Sequence, residues 1–519
     1  MTLPRLLAVA AVAVVAAPGA AADPVPPAGP VSYYKDVRPL FQQNCQGCHQ
    51  PAKAQGGFVM TEVADLLKAA DGGKPGVVPG KPTLSHLLDE IRVKDGKAEM
   101  PKNGSPLTAA QYATVEAWIA QGALDDTPAS AKAKAIDAEH PPVYASAPVV
   151  TALAFAPNGK RLAVTGYHEI LVYTADGKTL EARLVGLSER VQAIAFSPDG
   201  KWLAATGGDP GRFGELQVWD VDRKKLKVSA PITYDTLYGL SWSPDGTKIA
   251  FGCTDNTVRA VDALTGKQFL QMGTHSDWVL GTAFSRDGQH LLSVSRDMST
   301  KLTEVATQRF VDNVTSITPG ALKGGLIAVD IRPKTEKKVA KVPDDEGKNP
   351  QEKPYDEIAI AGADGIPRLY KIHREVKRQI GDDANKVRGF DPMLGRISAI
   401  KFDAEGARVA AVSSLDGKGE VAVFDANTGK KLFAAEKVTG PAFAVAWAPD
   451  GKRIASAGFD GVVWFHDPAT GKLLDQFTVL PPAVAPVAPP KPTPVPPKPT
   501  PVPPKPMGSL ANWLKWKTK

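Results

Sequence analysis

Hydrophobic positions change their spacing twice along this chain, and each regime predicts a different kind of structure. Residues 6–17 are a continuous apolar run. After a short Pro-rich leader, Val37, Leu40 and Phe41 recur at the spacing of one helix face, and so do Tyr112, Val115, Trp118 and Ile119. Positions three and four apart lie on one side of an α-helix, so both groups predict helices with a buried stripe. Asp36 is placed to cap the first, with Pro39 in the first turn, where a missing N–H costs nothing. Thr108 and Gln111 make a capping box before the second, and Gly122 ends it. The chain between is rich in glycine and proline (Gly56-Gly57, Gly72-Gly73, Pro79-Gly80), with a short helix predicted over 85–91. A small helical domain is therefore expected over residues 31–127, followed by a linker over 128–145.

From residue 146 the period drops to two and the sequence begins to repeat itself. The phrase AFSPDGKWLA at Ala195 returns in altered form at Ala154, Ser241, Ala283, Lys401 and Ala446. Each copy reads as a strand, a turn closed by Asn-Gly, Asp-Gly or Glu-Gly, and a second strand. Aligned on Phe155, Phe196, Trp242, Phe284, Phe402 and Trp447, the steps are 41, 46, 42, 118 and 45 residues. The long step hides a further unit, with strands expected at Leu326–Ile331, Glu357–Gly362 and 366–372, for a total of seven. Two polar segments, 332–357 and 373–395, stretch that unit. The first holds seven basic and seven acidic residues, so it reads as a solvated loop, with partner binding as the second reading. Four strands per period of this length make a propeller blade. Residues 146–480 resemble a WD-repeat β-propeller, most closely where Gly273, His275, Asp277, Trp278, Phe284, Asp287-Gly288, Ser295 and Asp297 follow that family's order. The resemblance implies a structural bond between His275 and Asp297. Most other units lack the early histidine, and several lack the Trp-Asp pair.

Charge and composition narrow the possible functions. The chain has 519 residues, 43% hydrophobic and 23% charged, as expected of globular protein. Its net charge of +7 suggests nucleic acid until the charges are located. Residues 1–22 contribute only Arg5, and residues 481–519 carry six lysines and no acid, so the folded body is neutral. A nucleic-acid binder would carry its basic patch on that body, and this class is excluded. Arg5, the apolar run and Ala20-Ala21-Ala22 form a signal peptide over 1–22; a membrane anchor would need about 20 apolar residues. The protein is expected to be exported to the periplasm or cell envelope. At the other end, 14 prolines within 481–506 predict a stiff polyproline spacer. Beyond it, 507–519 is a basic amphipathic tail with Leu510, Trp513, Leu514 and Trp516, suited to an anionic surface or a partner, or else a solvated end.

The chemistry concentrates in Cys45-Gln46-Gly47-Cys48-His49, the C-x-x-C-H attachment sequence of c-type haem. On a helical turn these three side chains share one face, so two thiols can bond the macrocycle while the imidazole ligates iron. A zinc site would want a further Cys or His pair, and a thioredoxin-like pair would want a strand-helix setting. For a second axial ligand the domain offers Met60, His86 and Met100. Met60 is only 11 residues past His49, whereas Met100 lies in a turn-rich stretch stiffened by Pro101. Met/His ligation suits electron transfer and favours Met100, with His86 left open.

These residues, with Asp36-Val37-Arg38-Pro39-Leu40-Phe41, Gly56-Gly57, Pro79-Gly80, Ser85, Met100-Pro101, Leu107 and Trp118-Ile119-Ala120-Gln121-Gly122-Ala123, resemble the planctomycete-type cytochrome c domain. The resemblance implies one covalent haem c on Cys45 and Cys48, with His49 proximal and Met100 distal. Gln50 departs from it, since glycine is usual after that histidine.

The expected fold is multidomain: a small all-α cytochrome c domain followed by an all-β propeller. The expected function is one-electron transfer, with a redox partner protein and a protein partner on the propeller, and with no catalytic residues. An alternative is an oxidoreductase with a second cofactor in the propeller. Its ligands would come from His168, His275, His290, His373 and His466, none of which has the spacing of a metal site. Cys253, on a strand, reads as a buried small hydrophobe. A haem-based redox or ligand sensor is a third reading, distinguished by a labile distal ligand.

Overall fold

The computed structural model describes residues 29–481 apart from 51–52, 70–72, 103–104, 129–135, 317, 319–321, 336–339, 343–350, 354, 378 and 380. The expected signal peptide and the C-terminal tail lie outside the described residues, as does the proline-rich segment beyond Pro481. Among the described residues no helix is long and apolar enough to cross a membrane. The helical and β portions pack together as one compact unit.

Among the described residues four short α-helices build the N-terminal portion: α1 (Arg38–Asn44), α2 (Val63–Leu66), α3 (His86–Ile91) and α4 (Ala109–Ala120). The start of α1 differs from the sequence expectation. A π-type turn, Tyr33–Val37, precedes it and is capped by Ser32, whose hydroxyl accepts the Lys35 amide at 2.9 Å, while α1 itself follows Val37 with no side-chain cap. Asp36 instead accepts the Ser32 amide at 2.9 Å, so the two residues cap reciprocally. At α4 the capping box forms as expected: Gln111 N–H donates to Thr108 Oγ1 and Thr108 N–H to Gln111 Oε1. The apolar stripes of α1 and α4 meet in a core of Val37, Phe41, Val115, Trp118 and Ile119. Trp118 lies at its centre, 5.3 Å from the Tyr33 ring and edge-on to Phe41, with its indole N–H on the Leu124 carbonyl.

The repeated phrase is a turn with a mechanism. In Ser197-Pro198-Asp199-Gly200 the Gly200 amide closes on the Ser197 carbonyl at 2.8 Å. The Ser197 hydroxyl donates to Asp199, and Asp199 accepts the Lys201 amide. Gly200 takes φ 74°, the left-handed value that lets the chain re-enter the ladder. Ser243 with Asp245 and Ser285 with Asp287 repeat the serine-aspartate bond.

These turns generate antiparallel meanders. The seven strands from Leu153–Phe155 to Lys225–Thr233 form one continuous sheet, in which the long strand Leu180–Phe196 pairs with Tyr167–Thr174 through one half and with Trp202–Asp209 through the other. Later strands fall into four-stranded sheets in sequence order. The hidden unit is one of them, with strands Leu326–Ile331, Glu357–Gly362, Arg368–Lys371 and Lys386–Gly389. Its 332–357 segment is not wholly a loop, since Ala340–Val342 and Gln351–Lys353 pair as a small hairpin.

Each meander buries its faces against its neighbours. Val172 and Ala163 pack on Leu203 and Trp219 of the next unit, and the pattern continues around the body until Ala444, Val463 and Phe465 meet Val150, Leu153 and Phe155 of the first. The Val150 amide on the Gly458 carbonyl, at 2.9 Å, closes the cycle. The last linker residues are strapped to the first meander: Arg183 holds the Pro142 carbonyl and the buried Glu169 carboxylate, which also accepts the Tyr144 hydroxyl at 2.7 Å.

In the unit from Gly273, His275 Nδ1 lies 2.9 Å from Asp297 and Nε2 lies 2.8 Å from Ser293. Burial would push the Asp297 carboxyl up, but hydrogen bonds from His275 and Ser299 outweigh it and hold it well below the usual carboxylate range. A depressed carboxyl adds stability only while it is ionised. Asp297→Asn is therefore expected to cost about 1–3 kcal/mol at pH 7. The gap from the natural protein should shrink as pH falls below about 4, the unfolded carboxyl value. Urea unfolding at pH 7 and at pH 3 checks both.

Candidate haem-attachment site

The motif continues α1 by one turn. The amides of Cys45 and Gln46 donate to the Phe41 carbonyl at 2.9 Å, and those of Cys48 and His49 to the Cys45 carbonyl at 3.1 Å. This is the i, i+3, i+4 relation that a shared face requires. Cys45 and Met100, both half-buried, pack on the same core cluster. Burial, with a further push from Cys48, raises the Cys45 thiol to about 12.

The segment just past the motif orients its histidine. His49 pairs with Ala54 and Gln50 with Lys53, and just past this pairing Gly56 and Gly57 both take left-handed backbone, φ 63° and 66°, and turn the chain. Phe58 is thereby carried back beneath the motif. Its carbonyl lies 3.1 Å from His49 Nδ1, and its ring meets the imidazole edge-on at 5.9 Å between centroids. The Phe58 ring lies directly over Gly76, where a Cβ would stand 2.2 Å from it. A carbonyl only accepts, so Nδ1 carries the proton and Nε2 keeps the lone pair, the tautomer a metal-ligating imidazole needs. The donor set fits a c-type haem: two thiols and a correctly protonated imidazole within one turn.

The other candidate ligands differ in their surroundings. Met60 is buried beside the motif, its amide on the His49 carbonyl at 2.8 Å and its carbonyl accepting the Gln46 side chain. His86 Nε2 lies 3.3 Å from Glu90 on its own helix. Met100 is held through its amide on the Glu90 carbonyl at 2.9 Å and precedes a cis peptide bond to Pro101. Ser85, buried, accepts the Val78 amide and donates to the Lys81 carbonyl, fixing the loop before α3. A cleft of about 950 Å³ opens along α4, lined by Arg92, Leu107, Tyr112 and Glu116, and does not include the motif.

Two arrangements escaped the sequence reading. His290 and His373, on different meanders, are both buried with rings edge to face at 4.8 Å, so they are adjacent although their spacing gave no sign of it. His168, His275 and His466 do not join them: burial pushes the His168 and His466 imidazoles down, and His466 Nε2 lies 2.8 Å from the Glu436 carbonyl. Among the described residues no group of three or more His, Cys, Asp or Glu is placed to hold a metal ion. Cys253 is fully buried in an apolar cluster.

The second arrangement is the seam between the helical domain and the β body. Gln50, fully buried, donates from Nε2 to Ser229 Oγ at 2.9 Å across the seam. Tyr234 donates to Gln43, and Arg212 to the Tyr34 hydroxyl at 3.2 Å. Gly47 comes so close that a Cβ there would stand 2.5 Å from the Ser229 carbonyl oxygen and 2.9 Å from Pro231 Cδ. Phe58, Ser229 and Glu215 carry no motif that sequence could have flagged.

Comparison with known proteins agrees with this division. Residues 45–104 match the family described as planctomycete cytochrome C. Residues 178–211 and 435–467 match the WD domain, G-beta repeat, and residues 211–285 the WD40 domain of an anaphase-promoting complex component. The chain is thus a cytochrome-c-like domain fused to WD repeats. Among similar proteins, periodic tryptophan protein 2 of Arabidopsis thaliana is 23% identical over 268 residues, 51% of this chain and 25% of that protein. A component of chromatin assembly factor 1 from Saccharomyces cerevisiae is 36% identical over 81 residues, 16% and 17% of the two chains. Actin-interacting protein 1-2 of Arabidopsis thaliana is 28% identical over 153 residues, 29% and 25%. The chain thus matches a quarter or less of the length of these relatives.

The glycine reversal yields a direct expectation. Gly56→Ala and Gly57→Ala force a side chain into left-handed backbone and should each cost about 1–2 kcal/mol. Faster hydrogen exchange at α4 amides, with the β body unchanged, is the measurement that checks this.

Proposed function

We propose that this chain is an exported c-type cytochrome that passes single electrons, with its WD-repeat body serving as a platform for protein partners. The observation that carries the reading is the contact of His49 Nδ1 with the Phe58 carbonyl, one turn from two cysteines at attachment spacing. Cys45 and Cys48 would hold haem c through thioethers, His49 Nε2 would be the proximal donor, and Met100 sulfur the distal one. Bound there, the group would supply Fe(II)/Fe(III) exchange. The chain's own part is to fix the imidazole by its Nδ1 hydrogen bond and to present Met100 from a backbone anchored on Glu90. Two donors from the protein to the iron would favour electron transfer over oxygen chemistry.

The WD body is proposed to be a closed seven-bladed propeller. Its support is the long strand Leu180–Phe196, which serves two blades within the seven-stranded sheet, and the packing of each meander on the next until the last meets the first. The relatives named for chromatin assembly and for interaction with actin favour protein partners for this surface. A redox partner protein is the electron donor or acceptor. The lysines of 507–519, beyond a polyproline spacer, suit an anionic surface of the envelope.

In cells able to attach haem, the full chain should carry haem that survives denaturing extraction, and Cys45→Ala with Cys48→Ala should abolish it. The ferrous protein should bind carbon monoxide weakly, and Met100→Ala should bind it readily. Ready binding by the unaltered protein would favour the sensor reading. Removal of residues 481–519 should release the protein from the envelope fraction while leaving its haem spectrum unchanged; unchanged retention would reduce the tail to a solvated end.

A further inference from the structure

We propose that Gln50 is a positioning residue for the haem-attachment turn, tying that turn through Ser229 to a buried carboxylate in the propeller, Glu215. The β body is then part of the site's framework rather than a separate tether. The inference rests on the cytochrome reading of the turn.

Direction is what makes the contact more than packing. Glu215 is 1% exposed. One of its oxygens accepts Ser188 Oγ at 2.6 Å and Gln217 Nε2 at 2.7 Å, and the other accepts Ser229 Oγ. Gln217 is itself fixed, its Oε1 accepting the Trp219 indole N–H at 2.9 Å. Ser229 Oγ donates its single proton to Glu215, so toward the helical domain it can offer only its lone pairs. A side chain arriving from the helical domain must therefore be a donor. Gln50 supplies one, and the same Nε2 donates at 3.0 Å to the carbonyl of Gln46, inside the motif. Its Oε1 is buried with no hydrogen-bond partner among the described residues, a cost that an apolar residue of similar size would not carry. The amide is thus held by its donor side alone, and that side joins the motif to the chain of donors ending on Glu215.

Two further observations converge on the same turn. Gly47 approaches the Ser229 backbone to a distance that no side chain permits, so the turn rests directly on the strand Lys225–Thr233. Gln50 is bonded to His49, whose carbonyl and ring are both held by the returning 58–60 segment. A shift of Gln50 is therefore passed to the imidazole. Glycine, usual at this position in the resembling family, could make none of these side-chain contacts.

The test uses the full chain with and without haem. Variants are Gln50→Gly, Gln50→Leu and Ser229→Ala, with Ser229→Thr as the conservative change that keeps a hydroxyl. In the haem-free chain, the first three should raise hydrogen exchange at residues 45–50 at least tenfold while exchange at α4 and across the β body stays put; Ser229→Thr should return it to the natural rate. In the haem-loaded chain, the same three should change the oxidised-to-reduced ratio at a fixed potential by threefold or more, with Ser229→Thr again restoring it. Unchanged exchange and an unchanged ratio in Gln50→Gly and Ser229→Ala would overturn the proposal. A variant whose α4 amides also lose protection has lost the domain, and judgement then falls on Ser229→Ala, which leaves the helical domain's own sequence intact. Failure of the chain to take up haem would sink the cytochrome reading, while the haem-free exchange data would still decide the tie to Glu215.

Discussion

Burial on both faces governs this molecule. A meander whose second strand reads Leu162, Ala163, Val164 is apolar toward each side and has no stable existence as a single layer. It must be covered twice, and the only cover the β body offers is the next meander. The demand is passed from unit to unit until the last strands settle on Val150, Leu153 and Phe155. Every unit is thereby conditional on its neighbours. A closed cycle leaves no terminal unit exposed, which is how antiparallel sheets avoid offering an open face to other chains.

The helical domain lives under a different regime. Its own core around Trp118 is separate from those of the β body, and the ties between the two include hydrogen bonds at Tyr34, Gln43 and Gln50 and a backbone approach at Gly47. Rim contacts such as Arg212 with Tyr34 are exposed, and exposed polar contacts contribute little. The buried one, at Gln50, is different in kind, because a polar chain excluded from water is costly to disrupt once formed. The orientation of the motif thus depends on a few directional bonds set against an apolar ring.

Much of this was legible in the sequence because it is local. The capping box at Thr108 and Gln111, the serine-aspartate turns, the attachment spacing and the strands Leu326–Ile331 and Glu357–Gly362 all depend on residues within a few positions of one another. Asp36 does not cap α1 for a physical reason: it and Ser32 bond reciprocally around the π-type turn, which moves the helix start to Arg38. What stayed hidden is non-local. Gln50 and Ser229 are 179 residues apart, and His290 meets His373 only because two meanders fold side by side. The Phe58 carbonyl is a backbone atom, so no residue identity could announce its role. Gln50 was visible as a departure from a family pattern, but its use became apparent only with the partner across the seam.

The haem motif is written with two open positions, which suggests that anything may stand there. In this chain neither is open. Gln46 holds the Met60 carbonyl, and Gly47 is the point where the turn lies against the strand of another domain. Cytochrome domains and propellers look like parts that evolution could recombine at will, yet here the joint runs through the motif itself. A homologous domain grafted onto this body with any residue but glycine at that second position would have to be pushed away from the strand. The fusion is a matched pair, and its two halves must vary together.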